Sequence, residues 1–270
     1  MRLLLLLLVA AVPIAPNAVS QGLSPAEKKI VDSARSRYYS LDGQGFISAT
    51  CSVKFEFSTV PILPSVDSLA NLKLLEATQF TLMLDRNGPT LQHKYPDGTA
   101  DDARRRAEPE ANLLSSLVQG LFLTWPTKGL NGPIPAFDSQ IKSAVETNDG
   151  FRLILSVPGG PVRIELNKDY LVTEIVSIGG KIEERPEYMH FPEGLVFTGN
   201  TATDNSESSG SVNVKYELES SMVDGLRLPT SAQLQVSPNI DVKFALNECT
   251  VTKGSVVSVQ PPKAADAINR

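Results

Sequence analysis

Residues 211–253 read SVNVKYELESSMVDGLRLPTSAQLQVSPNIDVKFALNECTVTK, and apolar residues alternate with polar ones through most of this stretch. Such alternation gives a chain one apolar and one polar face, which is typical of a half-buried β-strand. Val223-Asp224-Gly225 and Ser237-Pro238-Asn239 interrupt the alternation with residues that favour tight turns. The stretch therefore predicts three long antiparallel strands. Their shared apolar face has to be covered by another part of the chain.

Most of the chain upstream also predicts strands. From Ile141 to Tyr188, short apolar runs are separated by turns such as Asn148-Asp149-Gly150 and Gly179-Gly180. Strands joined by turns this short are antiparallel neighbours, so the region is predicted to be a meander. The Ser- and Asn-rich segment 201–210 predicts a mobile loop. The strands predicted upstream of this loop are 51–57, 78–85, 90–95, 141–146, 151–157, 162–166, 171–178, 181–188 and 193–199.

Three segments predict helices. Ser24-Pro25-Ala26-Glu27 is a capping box with proline at the first helical position, so we expect a helix that starts there and ends before Gly43. Helical spacing of apolar residues predicts a second helix over 65–76. The third segment is a helical insert over about 99–126, with Thr99 as its predicted N-cap. Pro109 could divide it into two helices. Its apolar stripe is more typical of a core-facing helix than of a ligand-binding surface.

Residues 1–20 predict a secretory signal peptide. They combine Arg2 with a long apolar run and end in the small residues Ala18-Val19-Ser20. An uncleaved signal anchor is the alternative, although the apolar run is short for a membrane span. We expect the mature chain to be soluble, exported to the periplasm or secreted, and folded as a single domain over 21–253. Residues 254–270 predict a disordered tail.

The chain contains two cysteines, Cys51 and Cys249. An exported protein folds in an oxidising compartment, which favours a disulfide between them. Two separate buried thiols are the alternative, because cysteine is common in strands as a small apolar residue. A bond would place the first and last strands near each other, with Cα atoms about 4.4–6.8 Å apart.

Composition and motifs argue against several classes of function. The net charge of −5, with dispersed Lys and Arg, provides no patch for nucleic acid. The two histidines, His93 and His190, do not stand in a known catalytic or metal-binding motif. Gly179-Gly180-Lys181 lacks the hydroxyl residue and helical context of a phosphate loop. Glu183-Glu184 and Asp101-Asp102 are more typical of solvated surface charge than of a glycosidase pair. We therefore predict no catalytic residue, metal or cofactor.

Several segments follow one another in a familiar order. A capped N-terminal helix precedes Cys51–Phe57 (CSVKFEF), and the chain closes with Val214-Lys215-Tyr216, the turn segment 223–230 (VDGLRLPT) and Asp241–Phe244 (DVKF). This order resembles the LolA/LolB-like superfamily of outer-membrane lipoprotein carriers and lipoprotein-sorting proteins of the bacterial envelope. The resemblance implies a mainly antiparallel α+β fold, a strongly curved and incompletely closed half-barrel whose concave face is covered by helices and holds acyl chains. This chain is longer than a typical carrier and adds the helical segment 99–126.

The resemblance and the lack of catalytic motifs predict a non-enzymatic protein that binds a lipid or a lipidated protein and that meets membrane components of the envelope. One alternative is an envelope assembly or interaction protein with the same fold and a core filled by its own helices. A secreted hydrolase without a familiar motif is the other. The predicted cavity lining is Phe55, Phe57, Phe80, Leu82, Phe151, Leu153, Leu155, Tyr216, Leu218 and Phe244. The predicted lid consists of Leu114, Leu117, Leu121, Phe122 and Trp125.

Overall fold

A computed structural model describes residues 22–57, 68–158, 160–177, 179, 181–205, 212–236 and 240–254. The predicted signal peptide, most of the predicted tail and the turn at Ser237-Pro238-Asn239 lie outside the described residues. Within those residues the chain forms twelve strands in one antiparallel sheet together with three α-helices. The predicted α+β class with a mainly antiparallel sheet is confirmed.

The strands form one open sheet in the order β3-β2-β1-β12-β11-β10-β9-β8-β7-β6-β5-β4. Consecutive strands are neighbours, except that β3 and β4 lie at opposite edges and β12 returns beside β1. The two edges do not pair, so the sheet is not a closed barrel. The strands are β1 (Phe46–Phe55), β2 (Gln79–Asp85), β3 (Gly88–Lys94), β4 (Ile141–Glu146), β5 (Gly150–Val157), β6 (Gly160–Asn167), β7 (Val172–Ser177), β8 (Ile182–Phe191), β9 (Gly194–Asp204), β10 (Val212–Val223), β11 (Leu226–Val236) and β12 (Ile240–Lys253).

The three strands predicted at the end of the chain are confirmed. β10 pairs with β11 down to Val223↔Leu226, and β11 pairs with β12. The turn between β10 and β11 consists of Asp224 and Gly225, whose φ angles of 49° and 76° are both left-handed. A two-residue turn with positive φ at both positions matches the twist of paired strands, so this hairpin sets its own register.

Two strands extend well beyond their predicted bounds. β1 begins at Phe46, before the predicted start at Cys51, because residues without clear alternation are still paired on both sides, as Ala49 is with Leu84 and Val251. β9 runs on to Asp204, so residues 201–204 of the predicted loop 201–210 are strand. Residues 206–210 lie outside the described residues.

The helices of the described residues are α1 (Pro25–Arg35), α2 (Ser68–Ala77) and α3 (Asp101–Leu123). α3 begins after Ala100, which corrects the predicted cap at Thr99; the Thr99 hydroxyl donates to the carbonyl of Pro96 instead. The helix continues through Pro109, so the predicted break is wrong. Pro109 has no N–H to donate to the carbonyl of Arg105, but both residues are exposed, so water can satisfy that carbonyl. A π-helical turn follows at Pro126–Leu130. None of the described helices is both long and apolar enough to cross a membrane.

α1 is shorter than predicted. Its capping box is present, with Ser24 and Glu27 bonded reciprocally. The helix nevertheless ends at Arg35 and not before Gly43, because the chain leaves it to join the sheet: the Tyr39 amide donates to the carbonyl of Leu195 at 2.9 Å. Backbone pairing with β9 thus replaces the last predicted helical turns.

Buried apolar side chains form two clusters on the sheet. The first cluster joins α3 to strands β1–β3 and β9–β12, and the second joins α1 to strands β4–β7. Tyr188 of β8 packs against both clusters. The apolar face of the sheet is therefore divided between two helices.

Candidate functional site

A cleft of about 730 Å³ opens where β1 and β2 separate. The two strands pair up to Val53↔Phe80 and then diverge. Beyond that point β1 continues beside β12, with Phe55 opposite Phe244, whereas β2 is preceded by the C-terminal end of α2. The opening between β1 and α2 has a volume typical of small-molecule sites.

Phenylalanine side chains form one wall of the cleft. The ring centroid of Phe55 lies 5.0 Å from that of Phe80 and 5.9 Å from that of Phe57. Phe244 lies 5.7 Å from Phe55 on the side of the first cluster. Leu75 of α2 lines the same cleft. Phe55 is thus the centre of an aromatic group that extends from the cleft into the interior.

The cleft is also lined by charged residues: Lys54 of β1, Glu76 of α2 and Glu248 of β12. None of the three forms an ion pair with another described residue. Lys54 also borders an adjoining pocket of about 260 Å³, which Phe55 and Phe244 line. Phe55, Phe80 and Leu75 are each at most 6 % exposed, so the accessible surface of the cleft combines Phe57 with polar and charged groups. Such a combination suits a ligand with an apolar body and a polar end.

The disulfide between Cys51 and Cys249 lies beside the cleft and is confirmed. Its Cα atoms are 4.1 Å apart, slightly closer than predicted, because the bond joins strands that are direct neighbours. It spans an irregularity in the pairing of β1 with β12 between Thr50 and Ser52. At this bulge Glu248 has a φ of 51°, and bulges redirect side chains from the ordinary alternation. The bulge and the disulfide together hold Glu248 at the cleft.

The residues predicted to line one cavity fall into three places. Phe55, Phe57 and Phe80 line the cleft, and Phe244 lines the adjoining pocket. Leu82, Tyr216 and Leu218 are buried inside the first cluster, and Leu153 and Leu155 belong to the second cluster, against which Phe151 packs. The structure therefore brings Phe55, Phe57, Phe80 and Phe244 together and separates them from the β5 residues.

The residues predicted as a lid lie on α3 and at the turn that follows it. Leu114, Leu121, Phe122 and Trp125 are buried in the first cluster, and Leu117 packs against it. The Phe122 ring is 6.4 Å from Phe244 and 6.2 Å from Trp125. These side chains fill the space over the middle strands.

The turn after α3 is attached to the sheet by polar contacts that the sequence did not predict. Thr124 and Tyr216 share a hydrogen bond of 2.7 Å between their hydroxyls. Lys128 donates to the carboxylate of Glu184, which also accepts from the Asn200 amide at 2.8 Å. Burial raises the pKa of Tyr216 to about 12.

Lys128 and Glu184 correct the prediction that Glu184 is solvated surface charge. Lys128 is only 5 % exposed, and burial lowers its pKa to about 8. Glu184 opposes that shift, because a carboxylate in contact favours the charged ammonium. The only signal in the sequence was a carboxylate within a predicted strand, which is common on solvated faces and therefore did not single out this residue.

No group of three or more His, Cys, Asp or Glu side chains is arranged for metal binding within the part of the chain that the structure describes. No family model, curated protein or solved structure matches this chain. The resemblance to LolA/LolB-like proteins therefore stays a prediction. Function has to be inferred from the cleft and its surroundings.

Proposed function

We propose that this chain is an exported, non-enzymatic protein that binds a lipid or the acyl chain of a lipidated protein and transports it within the bacterial envelope. The acyl chain occupies the cleft between β1 and α2, against Phe55, Phe57 and Phe80. The cleft carries the proposal, because it combines an aromatic wall with an opening to solvent. Each CH₂ group that leaves water there contributes about 0.8 kcal/mol to binding.

The proposal includes the architecture that the resemblance implies. The open sheet is a curved half-barrel, and α3 covers its concave face. The unpaired edges β3 and β4 and the packing of α3 in the first cluster support this arrangement.

Export to the periplasm is part of the same proposal. The disulfide between Cys51 and Cys249 supports it, because structural disulfides form and persist in oxidising compartments. The signal peptide predicted over residues 1–20 would direct the chain there.

A second candidate is an envelope interaction protein whose interior is filled by its own side chains. It is favoured by the tight packing under α3, where the void lined by Trp125 and Leu218 holds only about 10 Å³. Such a void is far too small for an acyl chain. In that case the cleft beside β1 would be a surface depression without a lipid.

Mass spectrometry of lipids that copurify under native conditions, together with uptake of a fluorescent fatty acid by the delipidated protein, tests the proposal. We expect bound lipid in the first experiment and saturable uptake in the second. If both are negative, the protein does not bind lipids and the second candidate is favoured.

Phe57→Ser and Phe137→Ser form a matched pair for locating the site. Phe57 lines the cleft, whereas Phe137 is 71 % exposed and lines a separate groove. We expect Phe57→Ser to weaken uptake about tenfold or more, because it removes a large apolar surface. Phe137→Ser should leave uptake unchanged. Equal effects of the two substitutions would place the lipid elsewhere.

A further inference from the structure

The charges around the cleft are distributed unevenly. The cleft is lined by one lysine, Lys54, and by two glutamates, Glu76 and Glu248. Lys54 lies on the boundary with the adjoining pocket, whereas the two glutamates line only the larger cleft. The larger cleft is therefore predominantly negative, with a single positive charge at one side.

The end of α2 adds to the negative side. α2 ends at Ala77, so Glu76 lies in its last turn, where the helix dipole is negative. Two carbonyls of that turn are already satisfied, since Thr78 donates to Leu74 through its hydroxyl and to Leu75 through its amide. A cation bound there would be stabilised by the Glu76 carboxylate and by the helix end together.

Glu248 is held at the cleft by its backbone. Its positive φ of 51° belongs to the bulge opposite Cys51, and the disulfide to Cys249 ties that bulge to β1. The constrained backbone therefore keeps the exposed Glu248 side chain at the edge of the cleft.

We infer that the ligand of the cleft is a zwitterionic phospholipid, whose phosphate lies beside Lys54 and whose ammonium lies at Glu76 and Glu248. This inference rests on the proposed function and specifies its ligand. A lipid whose head carries only negative charge would meet Lys54 but would be repelled by the two glutamates. The acyl chain then follows the wall formed by Phe55, Phe57 and Phe80.

Three single-chain lipids with the same acyl chain and different headgroups test whether the cleft prefers a zwitterionic head. They are palmitoyl lysophosphatidylethanolamine, palmitoyl lysophosphatidylglycerol and free palmitate. Each is titrated, below its micellar concentration, into the delipidated mature protein, and binding is followed by calorimetry. We expect the ethanolamine lipid to bind about fivefold more tightly than the glycerol lipid. The difference should shrink when salt is added, because exposed charges are screened.

Substitutions at the cleft test which residues cause the preference for the ethanolamine lipid. Glu76→Gln/Glu248→Gln should abolish the preference for the ethanolamine lipid, and Glu76→Gln alone should reduce it. Glu146→Gln, on an exposed residue of the distant edge strand β4, is the matched control and should change nothing. Lys54→Gln should weaken both phospholipids by a similar factor.

The results distinguish failure of the headgroup inference from failure of lipid binding itself. If the lipids bind with equal affinity, or if the preference persists in Glu76→Gln/Glu248→Gln, the headgroup inference is overturned while lipid binding stands. If none of the three lipids binds, the proposed function fails as well.

Discussion

The ammonium group of Lys128 contacts the carboxylate of Glu184, and together they tie the turn after α3 to the middle of the sheet. Lys128 is buried, and Glu184 also accepts a hydrogen bond from Asn200. Removal of one member of a buried ion pair leaves the other charge without compensation, whereas replacement of both by apolar residues is often tolerated.

We predict that Glu184→Gln lowers the free energy of unfolding at neutral pH by about 3 kcal/mol. The stability that Glu184→Gln loses should become smaller as the pH rises, because Lys128 then gives up its uncompensated charge. Burial lowers the pKa of Lys128 to about 8 in the folded chain. Between that pH and the ordinary lysine pKa, the folded chain binds fewer protons than the unfolded chain, so stability increases with pH. Chemical denaturation between neutral and alkaline pH measures both effects.

Lys128→Met/Glu184→Leu is the control for this pair. The double variant should be considerably more stable than Glu184→Gln, because no uncompensated charge is left in the interior. If it is equally unstable, the contact between Lys128 and Glu184 is not the source of the loss.

The Cys51–Cys249 bond is predicted to stabilise the fold substantially. It closes a loop with a sequence separation of 198 residues, for which the chain-entropy estimate is about 5 kcal/mol as an upper figure. Cys51→Ser/Cys249→Ser should therefore lower the free energy of unfolding by about 3 kcal/mol. A reducing agent should cause a similar loss in the unsubstituted protein and none in the variant. Two free thiols titrated in the unreduced protein would contradict the bond.

Glu27 links the start of α1 to the edge strand β4. One of its carboxylate oxygens accepts from the Ser24 amide at 2.9 Å, and the other accepts from the Ala144 amide at 3.3 Å. Hydrogen bonds from Ser24 and Ala144 lower the pKa of Glu27, so their stabilisation is present above the ordinary glutamate pKa and is lost as the pH falls.

We predict that Glu27→Ala lowers the free energy of unfolding by about 1 kcal/mol and speeds hydrogen exchange of the Ala144 amide. Glu27→Gln keeps an acceptor oxygen and should have a smaller effect. Unchanged exchange at Ala144 in Glu27→Ala would show that this edge amide has another source of protection.

Buried tyrosines predict a loss of stability at alkaline pH. Burial raises the pKa of Tyr38, Tyr188 and Tyr216, the last to about 12. In the unfolded chain these groups ionise at a pH of about 10, so above that value the unfolded chain binds fewer protons and stability falls as the pH rises.

Tyrosinate absorbance and denaturant unfolding, followed together as the pH is raised, measure this effect. Tyr216→Phe should make the alkaline fall in stability shallower, although it also removes the hydrogen bond to Thr124 and lowers stability at neutral pH. If the folded protein ionised all of its tyrosines at a pH of about 10, the expected burial would be wrong.

Local pattern alone predicted much of the sheet. The bounds of β4 and β11 coincide with the prediction, and Asp224-Gly225 forms the predicted turn. Alternation and turn chemistry act within a few residues, so they are readable wherever neighbouring strands also follow each other in the chain. Where pairing partners are distant, as for the residues of β1 before Cys51, the pattern was not informative.

The sequence predicted which aromatic residues line the cleft, but not where in the fold they meet. Alternation placed Phe55, Phe57 and Phe80 on one apolar face, and the structure brings their rings together. The same reasoning placed Leu153 and Leu155 on that face, although they pack against α1 in another cluster. A pattern in one strand identifies a face, but it does not identify the helix that packs on that face.

The sequence by itself determined the succession of antiparallel strands, the capping box at Ser24 and the two cysteines available for a bond, because each depends on residues close together in the chain or on composition. Only the tertiary structure decided that β12 returns to β1, that β1 parts from β2 beyond Val53, and that Lys128 is buried against Glu184. These features depend on pairing between segments far apart in sequence, whose register is set by the packing of the whole sheet.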